Sequence, residues 1–366
     1  MSLPFSINPS LQNLPVYQPG RPIEDVAREL NLPVSSFIKV ASNENPLGPS
    51  RKAVRAMRAA FRHSNLYPDG NAFYLKQALA AKLGISTANL ILGNGSNEII
   101  EFLGHALLSP DVEVVVSQYC FLVYPIVTQL FGARLVTVPA KNHSHDLEGM
   151  LAAITSKTRI VFVANPNNPT GTIVSRQALE HFIAAVPEQV VIALDEAYIE
   201  LLEDAPDFLP LIRAGGKPNV LLFRTFSKIY GLAGLRIGYG IGHESFIKEL
   251  EKIRQPFNTN SLAQAGALAA LEDESHVCRT RRSNSRGLKF FTRAFRKWNL
   301  PYVPSHANFI LAQVGDGAKV FNEMQKAGVI VRPMSGYQLP EWIRISIGTS
   351  KENQRCLEAL ATVLGK

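Results

Sequence analysis

Cysteine is scarce in this chain of 366 residues: only Cys120, Cys278 and Cys356 occur. Their odd number and the lack of CxxC spacing exclude a disulfide framework and a zinc knuckle, and point to a reducing, cytoplasmic setting. No run of about 18 apolar residues appears, and MSLPFSINPSLQNLPVY has no basic stretch leading into an apolar one, so neither a membrane span nor an export signal is expected. Acidic residues are outnumbered, 30 Asp and Glu against 38 Lys and Arg. The net charge of +8 favours anionic partners without separating nucleic acid from phosphorylated metabolites. Gly/Ser linkers, low-complexity tracts and repeats are also missing. So are the glycine fingerprints of nucleotide sites: GNGSNE (93–98) is not GxGxxG, GYGIG (238–242) lacks the third-glycine spacing, and no Walker A pattern exists.

What is present is an alternation. From about Leu90 to Ile241, short apolar or β-branched runs alternate with helical stretches: LIL (90–92), VEVVV (112–116), RLVTV (134–138), RIVFVA (159–164), VVIAL (190–194), VLLF (220–223) and RIGYGI (236–241). Seven strands with intervening helices predict a mostly parallel α/β sheet. Ser50 is placed to cap a helix over RKAVRAMRAAFRH. Helices are expected at Glu244–Arg254, Leu262–Asp273 and Val277–Trp298. A smaller α+β unit follows, with strands FILAQV, GVIVRP and WIRISIG and helices at Ala318–Ala327 and Lys351–Leu364. At roughly 100–200 residues per domain, the length suits two units. The expected division is 46–265 for the large domain, with 1–45 and 266–366 forming the small domain and an N-terminal arm.

In an open α/β sheet, ligands bind beyond the carboxyl ends of the strands. Polar or glycine-rich turns follow five of the predicted strands there: GNGSNE (93–98), SQYCFLVY (117–124), NPNNPTG (165–171), DEAY (195–198) and RTFSK (224–228). Five such turns on one edge predict a single composite site. The Gly95-Ser96-Asn97 amides open a helix and can receive a phosphate. Asp195 ends an apolar strand, where a carboxylate needs a cationic partner such as a protonated heterocyclic nitrogen. Lys228 follows another strand, where a lowered pKa would let it form a Schiff base with an aldehyde. Phosphate cradle, strand-end acid, strand-end lysine and the trailing Arg236 together are what pyridoxal 5′-phosphate requires. Two other signals are weaker. His143 and His145 in NHSHD lack a ligand cluster, so a polar loop is favoured and no metal is expected. The basic run 278–298 reads as the solvated face of a helix rather than a nucleic-acid surface.

Three of these segments, Asn168-Pro169-Thr170-Gly171, Asp195-Glu196-Ala197-Tyr198 and TFSKIYGLAGLRIGY (225–239), resemble the fold-type I pyridoxal-phosphate aminotransferases. Adding LPVYQPGRPIEDVAREL (14–30), ASNENPLGPS (41–50), YPDG (67–70) and VRPMSGYQLPEWIRISIGT (331–349), the whole chain is similar to the histidinol-phosphate aminotransferase family. Ile229 and Asn97 depart from the commonest pattern. The resemblance implies a fold-type I PLP-transferase: a large domain on a mostly parallel seven-stranded sheet plus a smaller α+β domain. It implies that Lys228 holds the cofactor and shuttles protons, that Asp195 pairs with the ring nitrogen, and that Tyr198 and Asn168 bond the phenolic oxygen. Phe121 would stack on the ring. Gly95, Ser96, Asn97, Thr225, Ser227 and Arg236 would hold the phosphate, with Tyr67 reaching in from a second subunit. Arg344 would bind the donor's α-carboxylate, Arg332 a second anionic group, and Tyr17 would close over the substrate. The implied activity is transamination between histidinol phosphate and 2-oxoglutarate by a cytoplasmic homodimer with shared sites. Transamination of aromatic or other amino acids, or decarboxylation of a phosphorylated amino acid on the same scaffold, are the alternatives.

Overall fold

A computed structural model describes residues 5–12, 14, 16, 20–213 and 216–366. In chain order the strands are β1 (Ile38–Lys39), β2 (Leu90–Gly93), β3 (Glu113–Ser117), β4 (Arg134–Val138), β5 (Thr158–Ala164), β6 (Val191–Asp195), β7 (Val220–Thr225) and β8 (Gly238–Gly242). They continue with β9 (Tyr302–Val303), β10 (Phe309–Gln313), β11 (Val329–Ile330), β12 (Arg332–Pro333) and β13 (Trp342–Ser346). Seven of them form one sheet in the order β2-β8-β7-β6-β5-β3-β4. All pairings are parallel except those of β8, which runs antiparallel to both β2 and β7.

Apart from the edge strand β4, which is largely exposed, the apolar runs form strands buried on both faces, which is what a helix-covered parallel sheet demands. Alternate residues separate the two faces. Leu92, Val163, Leu194 and Leu222 belong to one apolar cluster, while Ile91, Phe162, Ala193 and Phe223 belong to the other. The strands run slightly longer than the apolar runs, so that Asp195 and Thr225 are their last residues rather than the first of the loops.

β8 is glycine-rich because the chain passes close to its neighbours there. A Cβ on Gly238 would lie 2.6 Å from the Ser96 nitrogen. The strand therefore packs directly against the start of the helix Ser96–Leu107, and any side chain would force that helix end away from the sheet.

The order β12-β13-β10-β9 makes a second, antiparallel sheet. Its core includes Ile310, Ile343, Ile345, Met324 and Leu360. The helix Glu274–Lys297 links the two bodies, buried along one stripe at Val277, Thr280, Asn284, Phe291 and Phe295. Val277 packs in the cluster of the large sheet, and Phe291 and Phe295 in that of the small one. Its arginines and lysines flank this stripe, so the basic run is the other face of a linking helix. Segment 40–45 crosses between the same bodies. Val40 accepts from the Ser346 N–H at 2.8 Å, and Asn45 Nδ2 donates to the Ile229 carbonyl at 2.8 Å.

Candidate active site

The carboxyl ends of β5, β6 and β7 open into a cavity of about 390 Å³, closed on its far side by β12 and β13. Ser96, Asn97, Phe121, Asn168, Asp195 and Tyr198 line it, with Thr225, Ser227, Lys228, Arg236, Arg332 and Arg344. Gly95 lies directly behind, with φ at 80°, and a Cβ there would come within 2.4 Å of Arg236 Nη2. Two expected residues stand apart. Tyr67 is 83% exposed and stacks on Phe257 at 4.7 Å, outside the cavity of its own chain. Tyr17 lies outside the described residues.

At one end sits a set of anion donors. The helix Ser96–Leu107 has Gly95 at its N-cap and no side chain capping it, so its first amides retain donor capacity toward the cavity. Thr225 Oγ1 and Ser227 Oγ are 2.9 Å apart, and the Ser227 N–H donates to Thr225 Oγ1 at 3.1 Å. Arg236, with φ at 56°, places its guanidinium against Gly95 and donates to the Ala233 carbonyl at 2.9 Å.

Asp195 is buried at the centre. Its Oδ2 accepts from Tyr124 Oη at 2.6 Å and its Oδ1 from the Ala197 N–H at 3.0 Å. Desolvation nevertheless pushes its carboxyl up to about 6, against the pull of those bonds and of Lys228. Lys228 Nζ donates to the Asn43 carbonyl at 3.3 Å and lies 5.4 Å over the Tyr198 ring. Burial, with Arg344 nearby, lowers its ammonium to about 8, so that the nucleophilic neutral amine is within reach of neutral pH. Burial raises the Tyr198 phenol to about 12 and keeps it protonated.

Behind these groups lies a buried ionic layer that sequence reasoning did not single out. Arg224 Nε donates to Glu196 Oε2 at 2.7 Å, and Tyr230 Oη to Glu200 Oε1 at 2.8 Å. It ties the residues flanking Lys228 to those following Asp195. Ile229 is buried in the large core, and its carbonyl accepts from Asn45 Nδ2.

At the other end Arg344 is buried. Its Nη1 donates to Asn168 Oδ1 at 2.6 Å and its Nη2 to the Ala41 carbonyl at 3.2 Å. Nε has no hydrogen-bond partner among the described residues. Asn168 thus holds Arg344 here. Phe121 meets Tyr124 edge-on at 5.7 Å, whereas its neighbour Tyr119 stacks on His143, away from the cavity. His145 Nε2 lies 2.8 Å from the Ala164 carbonyl, and no group of three His, Cys, Asp or Glu able to hold a metal occurs among the described residues.

The model of the family described as aminotransferase class I and II matches residues 35–360. The chain is 52% identical to a histidinol-phosphate aminotransferase of Akkermansia muciniphila, covering 100% of both chains. It is 49% identical to histidinol-phosphate aminotransferase 1 of Nitrosococcus oceani, covering 97% of this chain and 95% of that one. The chain belongs to the histidinol-phosphate aminotransferase family. A similar solved structure is the histidinol-phosphate aminotransferase of Sinorhizobium meliloti in complex with pyridoxal-5′-phosphate, with a TM-score of 0.88, 30% identity and coverage of 98% and 97%.

This chain is therefore a pyridoxal-phosphate-dependent aminotransferase, and its cavity fits that cofactor. The uncapped helix end with Arg236 suits a phosphate. A carboxylate with its pKa raised by burial suits a cationic ring nitrogen, and an amine with its pKa lowered suits an aldehyde. Among the described residues, no helix is long and apolar enough to cross a membrane.

Proposed function

We propose that this enzyme transfers an amino group between glutamate and imidazole-acetol phosphate, giving 2-oxoglutarate and histidinol phosphate, as a cytoplasmic homodimer. One observation carries the substrate reading: Arg332 and Arg344 are direct partners across the antiparallel pair of β12 and β13, and both line the cavity. Like charges placed opposite one another repel. An anion entering beside them offsets like charge and can accept from planar guanidinium forks, whatever other contacts those side chains keep. Glutamate brings two carboxylates and histidinol phosphate a phosphate, so both substrates satisfy the pair. The relatives named histidinol-phosphate aminotransferase support the same reading.

When bound, pyridoxal phosphate supplies an electron sink that acidifies the Cα–H of the donor. Lys228 would hold its aldehyde carbon, and its amine would move the proton between the substrate Cα and the cofactor C4′. Asp195 holds the proton on the ring nitrogen. Tyr198 donates to the phenolic oxygen, with Asn168 nearby on Arg344, and Phe121 covers the ring. Gly95, Ser96, Asn97, Thr225, Ser227 and Arg236 hold the phosphate. Tyr67 completes that cradle from a second copy. Its 83% exposure, with Phe61, Phe73 and Tyr74 of the same stretch of sequence also exposed, suits burial against a partner. Tyr17 closes over the substrate.

A panel of amino donors, scored by loss of the yellow absorbance of the lysine-linked cofactor, tests this reading. Histidinol phosphate and glutamate should discharge it fastest. Preference for phenylalanine or tyrosine would replace the reading with an aromatic aminotransferase, and release of CO₂ with a decarboxylase.

A further inference from the structure

Asn43 is 2% exposed, and it sits with φ at 55° where the crossing segment passes between the two bodies. Its backbone N–H donates to Ser346 Oγ at 2.8 Å. Ser346 is buried, its Oγ accepts from that N–H, and the one acceptor its own proton finds among the described residues is Asn43 Oδ1, at 2.9 Å. That assignment fixes the amide: Nδ2 is the end that faces Tyr198, and it donates to Tyr198 Oη at 3.0 Å. With Oη accepting from Asn43, the phenolic proton points elsewhere. No acceptor for it stands among the described residues, and Tyr198 lines the cavity. The carbonyl of the same Asn43 accepts from Lys228 Nζ at 3.3 Å and from Asn308 Nδ2 at 2.9 Å.

We propose that Asn43 and Ser346 are positioning residues that aim the Tyr198 hydroxyl proton into the cofactor cavity. The direction of the hydrogen bond that Tyr198 gives to the ring oxygen is thereby set by the seating of β13 against the crossing segment. The proposal rests on the reading that Tyr198 faces the phenolic oxygen of pyridoxal phosphate. A purely structural tie between the bodies would change stability and activity without changing the electronic state of the bound cofactor.

The test is the pH midpoint of the visible absorbance of the holoenzyme. A hydrogen bond to the anionic ring oxygen favours loss of the proton shared with the lysine-linked nitrogen, so removing the bond raises the midpoint. Asp195, Glu44, Arg236 and Arg344 act on Lys228 in the same space and are unchanged in every variant. Asn43→Gly removes the side chain but keeps the carbonyl, and glycine adopts positive φ without strain. Ser346→Ala interrupts the chain one bond earlier, on a different element, and serves if the first variant does not fold. Tyr198→Phe should raise the midpoint by about one unit. Asn43→Gly and Ser346→Ala should raise it by a smaller amount, and Asn43→Gly should add nothing in the Tyr198→Phe background. An unmoved midpoint in Asn43→Gly and Ser346→Ala beside a shifted Tyr198→Phe would overturn the proposal, as would an equal further shift in the double variant. An unmoved midpoint in Tyr198→Phe itself would overturn the underlying reading of Tyr198 and the proposal with it.

Discussion

Tyr124 Oη donates to Asp195 Oδ2 at 2.6 Å from a ring stacked on Phe162 at 4.4 Å. The stacking fixes the hydroxyl, and the bond favours the ionised carboxylate against the burial that pushes Asp195 up to about 6. Above that value the carboxylate can pair with a cationic ring nitrogen; below it the carboxyl cannot.

The affinity of the apoprotein for pyridoxal phosphate should therefore fall as pH drops through about 6. Tyr124→Phe should move that fall upward by about one unit, the loss of one hydrogen bond to a charged group. Fluorescence titration of the apoprotein measures both. Asp195→Asn should abolish the pH step and lower kcat by about 100-fold or more, each tenfold being about 1.4 kcal/mol of barrier. An affinity that stays flat through the range would show that Asp195 does not face the ring nitrogen.

Lys228, lowered to about 8 by burial, gains its nucleophilic form well below the range of an exposed lysine. Covalent attachment of pyridoxal phosphate to the apoprotein, followed by absorbance, should accelerate as pH rises through about 8. Lys228→Ala should still bind the cofactor non-covalently while losing transamination. Near-wild-type turnover in that variant would remove Lys228 from the chemistry.

The exposed Tyr67 gives a test of shared sites. Mixing Lys228→Ala with a Tyr67 variant severe enough to silence its own homodimer should restore part of the activity, because one site of each heterodimer receives both native groups. No recovery after verified subunit exchange would mean that each site is self-contained.

The composite site was legible in the sequence because a parallel sheet gathers its strand ends on one edge, so Asp195, Thr225 and Lys228 could be brought together without knowing any distance. Strand direction was not: the apolar run of β8 reads the same either way, and only the pairing with β2 and β7 makes it antiparallel. Tyr124 and Asn43 lay inside quoted motifs without a role, since their partners Asp195 and Tyr198 are 71 and 155 residues away. Neither local propensity nor periodicity carries that information. Arg224 and Glu196 were similarly hidden, since a buried ion pair looks in sequence like two surface charges.

The most direct test of the substrate assignment compares kcat/KM for histidinol phosphate and for phenylalanine in the wild type and in Arg332→Leu. Arg332 faces Arg344 across β12 and β13, and phenylalanine, with only an α-carboxylate, makes less use of a second cation. Wild type should favour histidinol phosphate. Arg332→Leu should lose about 10- to 150-fold on it, chiefly through KM, as expected for one charge-assisted bond of about 1.5–3 kcal/mol, while phenylalanine loses less. Unchanged histidinol-phosphate kinetics in Arg332→Leu, or a wild-type preference for phenylalanine, would contradict the assignment.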